Sequence, residues 1–84
     1  MTNVEYRIVR KILRNIDPRC RYCRRVQKSS RISLDHIVPL CRGGLDVPEN
    51  VTLACEFCNF CKAERLLDEW IRDLAAVRTA GVLR

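Results

Sequence analysis

Four of the six cysteines stand in two Cys-x-x-Cys pairs, a spacing at which one tight turn presents two thiolates to a metal ion. The first pair is Cys20 and Cys23, and the second is Cys55 and Cys58. Two such pairs suit a tetrahedral Cys₄ zinc site, with a hairpin folded between them. The segment CEFCNFC also offers Cys58 with Cys61, so spacing alone leaves the second pair open.

The compartment decides whether these thiols are free to bind metal. In a secreted chain they would suggest disulfides, but MTNVEYRIVRKILR is interrupted by charges before any apolar run develops. No stretch of the sequence is apolar enough to span a membrane. We therefore expect an intracellular, cytoplasmic protein with reduced thiols. The sequence leaves the roles of Cys41 and Cys61 open, and burial as small apolar residues is the commoner fate of free cysteines.

A second candidate site lies in RISLDHIVPL, where a strand-like segment carries Asp35 beside His36, the only histidine. An imidazole with an ordinary pKa of ~6.5 is largely neutral near pH 7 and can accept a proton from water. A lone histidine on an apolar strand is, however, more often a hydrogen-bonded core residue. The Asp-His pair alone therefore does not decide between catalysis and structure.

The charge balance favours a polyanionic partner such as DNA. Sixteen Lys and Arg against ten Asp and Glu give a net charge of +6, which one zinc ion held by four thiolates would lower to roughly +4. Arginine matches the geometry of phosphate. Candidates for contacts with a DNA backbone are Arg19, Arg21, Arg24, Arg25, Lys28, Arg31, Arg42 and Lys62.

An 84-residue chain forms one small domain, and its first element is an N-terminal helix over about 3–16. Thr2 and Glu5 have capping-box spacing, and Pro18 follows the end of the helix. The apolar repeat that indicates an amphipathic helix consists of Val4, Ile8, Val9, Ile12, Leu13 and Ile16. The polar face, either solvated or part of a phosphate-facing surface, carries Arg7, Arg10, Lys11 and Arg14.

The remaining pattern predicts a small α+β fold in which a β-hairpin plus a helix is stapled by the Cys₄ site. Strands are expected over 32–38 and in NVTLA, separated by the loop CRGGLDVPEN. A single helix should then run from about Phe57 to about 78, and Gly81 marks its frayed end. Its apolar stripe either packs in the core or, where exposed, mediates dimerisation. The stripe consists of Ala63, Leu66, Leu67, Trp70, Ile71, Leu74 and Val77.

The order of short motifs resembles the HNH endonuclease family, whose catalytic unit is a ββα-metal finger. The resemblance covers roughly 20–67 and implies a single HNH nuclease domain over 1–84. It also implies that Cys55 and Cys58 are the second ligand pair, because the family's second knuckle immediately precedes its last signature residue. The motifs are Asp35-His36, Pro39-Leu40, Gly43-Gly44, Glu49-Asn50 and Cys55-x-x-Cys58-Asn59-x-x-Lys62.

The resemblance implies a metal-dependent DNA endonuclease that hydrolyses phosphodiester bonds. His36 corresponds to the general base, whereas Asp35 and Asn59 correspond to ligands of a catalytic Mg²⁺ or Mn²⁺, with Ni²⁺ or Co²⁺ not excluded. Asn50 corresponds to a residue that pins the loop and helps to orient the base. Asn59 stands where many members have histidine, which makes this an H-N-N variant. The structural alternatives are an ordinary turn residue for Asn50 and a helix N-terminal residue for Asn59.

This assignment carries a geometric condition. An ideal strand points Asp35 and His36 to opposite faces, so both reach one phosphate only if the strand bends, bulges or ends near them. Pro39 is well placed to permit that. A straight ladder through both residues would contradict the assignment.

Two other functions account for part of the sequence. A non-catalytic Cys₄ zinc module that binds nucleic acid explains the cysteines and arginines, though not the grouping of Asp35, His36, Asn50 and Asn59. A zinc protein that binds other proteins through Leu66, Trp70 and Leu74 has only the helical stripe in its favour. The chain is expected to act as a monomer or homodimer, with or without a larger nuclease or packaging partner. The sequence does not distinguish phage packaging, restriction, mobile introns and defence.

Overall fold

The computed structural model describes residues 1–79, and side chains up to residue 75. The helices and strands are α1 (Asn3–Ile16), β1 (Ile32–His36), β2 (Val51–Cys55), α2 (Glu56–Lys62) and α3 (Leu67–Thr79). This order confirms the expected small α+β fold. The side chain of Val77 and the whole of Gly81 lie outside the described residues. None of the described helices combines the length and the apolarity needed to cross a membrane.

The two strands form an antiparallel hairpin in which Ile32 pairs with Cys55 and His36 pairs with Val51. β1 ends two residues before the predicted position 38. The reason is local: the N–H of Val38 donates to the side chain of Asn50 at 3.0 Å, so this N–H bonds a loop side chain and not a strand partner.

α1 packs on one face of this hairpin through only part of the expected apolar repeat, Val9 and Leu13, together with Tyr6. Tyr6, Val9 and Leu13 contact the core cluster, whose members are Ile32, Leu34, Val51 and Leu53. The i, i+4 row is more than half exposed, contrary to the expectation of one continuous apolar face; its members are Val4, Ile8, Ile12 and Ile16. A sheet of two strands is only about 5 Å between strand axes, too narrow to cover both rows of the helix.

Arg10, expected on the polar face of α1, instead ties the helix to the hairpin. Its guanidinium donates to the carbonyl of Ile32 from Nε at 3.0 Å and from Nη2 at 2.8 Å. It also donates to the carbonyl of Ser29. A part-buried charged donor on backbone carbonyls fixes the position of α1 along the hairpin.

The predicted single C-terminal helix is divided into two. α2 ends at Lys62 because Ala63 adopts φ 51° and ψ −127°, a conformation outside the helical region. α3 begins at Leu67, and its Trp70 ring meets the ring of Tyr22 edge to face at 5.2 Å. The predicted stripe is thus interrupted where α2 ends. Among its described members, Leu66, Leu67 and Trp70 are half-buried and the others are exposed.

Replacing Arg10 with Met should lower the free energy of unfolding by about 1–3 kcal/mol, because the carbonyls of Ile32 and Ser29 lose a charged donor. Chemical denaturation measures this change. Lys11→Met, at an exposed position of the same helix, is the matched control and should stay within about 0.5 kcal/mol of the parent. Equal effects of the two substitutions would contradict the docking of α1 described above.

Candidate active site and metal centre

Four thiols converge where the segment before β1 meets the start of α2. The Sγ atoms of Cys20, Cys23, Cys55 and Cys58 all lie within 4.8 Å of one another. Cys23 Sγ and Cys55 Sγ are 3.9 Å apart, close to the ~3.8 Å edge of a tetrahedron with Zn–S bonds of about 2.3 Å. A disulfide would need about 2.05 Å. The cluster therefore fits a metal ion, for which zinc is the natural candidate, and Cys55 with Cys58 is the second pair.

Local backbone geometry builds both halves of the cluster. In the first turn the N–H of Cys20 donates to the carbonyl of Arg25, and the N–H of Arg24 donates to the carbonyl of Cys20, both at 2.9 Å. Arg24 takes φ 64° to close this turn. In the second, Cys55 caps α2, and its Sγ accepts from the N–H of Cys58 at 3.4 Å.

The thiols of the cluster differ in acidity. Burial raises the pKa of Cys20, but backbone N–H groups of Cys23, Cys55 and Tyr22 donate to its sulfur and lower the pKa to about 7. The pKa of Cys58 is raised by burial and by its thiol neighbours. A metal ion must displace the protons that remain, so its affinity for the cluster should fall as the pH falls.

The other two cysteines do not behave as small core residues. Cys41 is exposed and Cys61 is half-buried, and neither belongs to the four-thiol cluster. Burial as small apolar residues, the alternative that the sequence left open, therefore holds for neither. Cys41 lies in a turn that follows Pro39, and Cys61 lies in α2, three residues after Cys58.

Asp35 is buried on the α2 side of the hairpin, with two partners on one oxygen. Its Oδ2 accepts from the hydroxyl of Tyr22 at 2.6 Å and lies 3.1 Å from the ammonium of Lys62. Burial, and then the hydrogen bond to Asp35, raise the pKa of Tyr22. Tyr22 was not identified from the sequence, where a tyrosine between two cysteines carries no distinctive signal.

Lys62 occupies a place that the sequence did not predict. Its side chain is 0% exposed, and its ammonium also donates to the carbonyl of His36 at 3.0 Å. A buried ammonium needs a counter-charge, which Asp35 supplies. Lys62 therefore does not belong to an arginine-rich surface that contacts DNA, and that expectation is corrected.

His36 faces the loop between the strands. Its Nε2 lies 2.9 Å from Oδ1 of Asp46, and the side chain is 27% exposed. The pKa of Asp46 lies below its ordinary range because the terminal amine of Met1 and then His36 hydrogen-bond to it. If Nε2 carries the proton, Nδ1 is the acceptor that remains for a water molecule. Asp46 was not identified from the sequence, since a loop aspartate ten positions after the histidine matches no spacing rule.

The ladder runs straight through Asp35 and His36, which counts against assigning both to one phosphate. Pairing with β2 is regular at both residues, so the expected bend or bulge between them is absent. The pleat therefore directs the two side chains to opposite faces. The strand does end at His36, and both residues line one open groove of about 410 Å³ together with Asn59.

Asn50 ties the loop together, as expected of a loop-pinning residue. Its side chain accepts from the N–H of Val38 at 3.0 Å and donates to the carbonyls of Val38 and Leu45, both at 2.9 Å. Gly44 makes this approach possible, because a Cβ there would lie 1.9 Å from the carbonyl oxygen of Val38. An influence of Asn50 on the orientation of His36 stays a prediction.

The 410 Å³ groove offers a hard divalent ion the side-chain oxygens of Asp35 and Asn59, and the exposed carboxylate of Glu64 also lines it. Asn59 Nδ2 makes one long contact, 3.5 Å to Ser33 Oγ, which leaves its carbonyl oxygen for other use. The contacts described for Asp35 use Oδ2, so Oδ1 remains. The donor chemistry fits Mg²⁺ or Mn²⁺, although the ammonium of Lys62 competes for the same carboxylate.

The cations of the expected DNA surface divide into paired and unpaired groups. Arg42 binds Glu69 with contacts of 2.8 and 3.2 Å. Arg31 lies 3.3 Å from Glu56, and Asp17 holds Arg19 at 2.8 Å and Arg24 at 3.4 Å. Within residues 1–75 the members without an acidic partner are Arg21, Arg25 and Lys28. These three exposed cations leave a positive surface beside the first cysteine pair.

Cys58→Ser should abolish tight metal binding, whereas Cys61→Ser should retain one ion per chain, because only Cys58 points into the cluster. Substitution with Co²⁺ followed by absorption spectroscopy reads the thiolate ligands directly. Circular dichroism in the presence of a chelator should show loss of folded structure for the parent chain. Loss of binding in the Cys61 variant with retention in the Cys58 variant would contradict this ligand set.

Lys62→Met should lower the free energy of unfolding by about 3–5 kcal/mol, because Asp35 would be left as a buried charge without its cation. The double variant Lys62→Met with Asp35→Asn removes both charges and should recover much of that loss. Thermal and chemical denaturation of the three chains measure the coupling. Additive losses in the double variant would show that the ion pair is not formed.

The comparison with known families agrees with this geometry. A family model described as HNH endonuclease matches residues 20–75, well over half of the chain. The match begins at the first thiol of the cluster and spans the hairpin, α2 and most of α3. No curated protein matches the sequence. The chain belongs to the HNH endonuclease family.

Proposed function

We propose that this chain is a metal-dependent DNA endonuclease in which His36 is the general base and Asp35 and Asn59 hold the catalytic divalent ion. Family membership supports a nuclease. The observation that carries the finer assignment is the groove of about 410 Å³ lined by these three residues. It is open to solvent and has room for a phosphodiester and its attacking water.

His36 would take a proton from that water. Asp46, at 2.9 Å from Nε2, holds the ring and favours the tautomer whose Nδ1 carries a lone pair. Oriented in this way, the imidazole accepts a proton and the neighbouring carboxylate stabilises the imidazolium that forms. Asp46 is therefore a positioning residue, which acts through His36.

Oxygen atoms of Asp35 and Asn59 would hold Mg²⁺ or Mn²⁺ at the floor of the groove. When bound, such an ion stabilises charge on the scissile phosphate and on the departing 3′ oxygen. Tyr22 and Lys62 hold the Asp35 carboxylate in place beneath the groove. The side chains of Asp35 and His36 leave opposite faces of β1, and the mechanism uses both because the strand ends at His36 and both residues line the groove.

DNA would approach over the first cysteine turn, where Arg21, Arg25 and Lys28 are unpaired within residues 1–75. Arg31 and Arg42 would exchange their carboxylate partners for phosphates. Contacts of this kind position a duplex without reading its sequence, so low sequence specificity is expected. A monomer would nick DNA and a homodimer would cut both strands, in an intracellular setting that keeps the thiols reduced.

The rival function, a non-catalytic zinc module that binds nucleic acid, is favoured by one observation. The buried carboxylate of Asp35 already has a phenol and an ammonium as partners. Such a satisfied pair is what a purely structural network requires. The two functions differ in whether a divalent ion added to the zinc-loaded protein produces turnover.

Cleavage of supercoiled plasmid by zinc-loaded protein tests the proposal. Nicked product should form with added Mg²⁺ or Mn²⁺ and not in their absence, and His36→Ala should lower the rate by about 10²–10⁴-fold because no base remains. Metal content and circular dichroism establish that the variant is folded. Plasmid that stays intact with every divalent ion, while zinc and DNA binding are retained, would favour the binding module.

The same assay tests whether Asp46 contributes to cleavage by positioning His36. Asp46→Asn should slow cleavage by about tenfold or more with no change in DNA affinity, because the ring loses its carboxylate partner but keeps its nitrogen atoms. Glu49→Gln, an exposed carboxylate in the same loop, is the matched control and should cut at the parent rate. Equal rates for parent and Asp46→Asn would remove Asp46 from the mechanism.

A further inference from the structure

Both phenylalanines of the chain are exposed on the short helix α2. Phe57 is 74% exposed and Phe60 is 85% exposed, although the core of the protein is small. Residues three apart on a helix lie side by side, so the two rings form one aromatic surface. Large apolar side chains grouped in this way on a surface indicate a binding site.

The two rings border a groove of about 590 Å³ on the side of α2 that carries the thiol cluster, and Cys23, Cys55 and Cys58 also line it. The polar side chains of its lining are Arg25, Gln27, Arg31 and Glu56. Arg25 has no acidic partner among residues 1–75, and Arg31 has only a solvent-exposed contact of 3.3 Å with Glu56. The guanidinium groups are thus available to a ligand that offers negative charge.

Aromatic faces beside guanidinium groups and an amide suit one class of ligand best. Unpaired nucleobases stack on aromatic rings, and the connected phosphates bind arginine. Bases inside an intact duplex are already stacked and cannot offer their faces. An apolar protein helix would meet cations where it needs apolar contact.

We propose that this groove binds single-stranded DNA, with bases stacked on Phe57 and Phe60 and phosphates held by Arg25 and Arg31. This proposal rests on DNA being the substrate. It adds a second contact area to the candidate site, because α2 carries Asn59 into one groove and the two phenylalanines into the other. A strand that leaves the cleavage groove across α2 reaches the aromatic surface. DNA with an unpaired segment beside the scissile bond should therefore be the preferred substrate.

The test measures the affinity of zinc-loaded His36→Ala protein, without added Mg²⁺ or Mn²⁺, for labelled DNA by fluorescence anisotropy. The probes are a single strand of about 15 nucleotides and the same strand in a blunt duplex. Phe57→Leu with Phe60→Leu should weaken single-strand binding by about fivefold or more, and duplex binding by much less. Phe57→Tyr with Phe60→Tyr should bind like the parent, since tyrosine keeps the aromatic face.

For Arg25→Gln, the slope of log K against log salt concentration for single-strand binding should be less steep by about 0.7. For Phe57→Leu with Phe60→Leu, this slope should be unchanged. Ile12→Ala, an exposed apolar residue of α1, is the control at a distant surface. Single-strand affinities of the leucine and tyrosine variants that agree within about twofold would overturn the proposal. A parent protein that does not bind the single strand would also overturn the proposal. If that protein still cleaves plasmid, the proposed nuclease function is unaffected.

Discussion

The sulfur atoms of Cys20, Cys23, Cys55 and Cys58 join the segment before β1 to the junction of β2 and α2. A hairpin of two five-residue strands is marginal by itself. Once the cluster is fixed, β2 has a defined end, α2 has its N-cap, and the aromatic pair of Tyr22 and Trp70 packs against the thiols. Metal binding and folding are therefore expected to be one equilibrium.

A second network, buried beside the cluster, connects it to the candidate active site. Tyr22 lies between two cluster residues, and its hydroxyl holds Asp35, which Lys62 neutralises. Lys62 ends α2 and also holds the carbonyl of His36. Through Tyr22 and Lys62, the metal cluster thus fixes the positions of the Asp35 carboxylate and of the end of β1. Loss of the ion should disturb the candidate site even though no thiol takes part in the chemistry.

Much of this arrangement was predictable from the sequence, because short motifs with strict spacing carried it. Cys-x-x-Cys spacing and the capping box at Thr2 depend on neighbours in the chain, and the structure agrees with both. The hydrogen bonds of Asn50 fit the loop role that the family resemblance implies. The break at Ala63 is a local error, set by the backbone conformation of one residue. The other errors concern long-range packing: the buried side of α1 depends on the width of the sheet, and the burial of Lys62 depends on a carboxylate 27 positions away. The partner of His36 was missed for the same reason.

The central claim is that Asp35 and Asn59 hold a divalent ion in a groove separate from the thiolate cluster. A crystal structure of the zinc-loaded protein with Mn²⁺ and a short uncleaved DNA, with anomalous scattering measured at the manganese edge, tests this directly. The account predicts one manganese peak bonded to oxygen atoms of both residues, with His36 beside the scissile phosphate. A groove without manganese, in which Lys62 and Asp35 stay paired and DNA lies elsewhere, would contradict it.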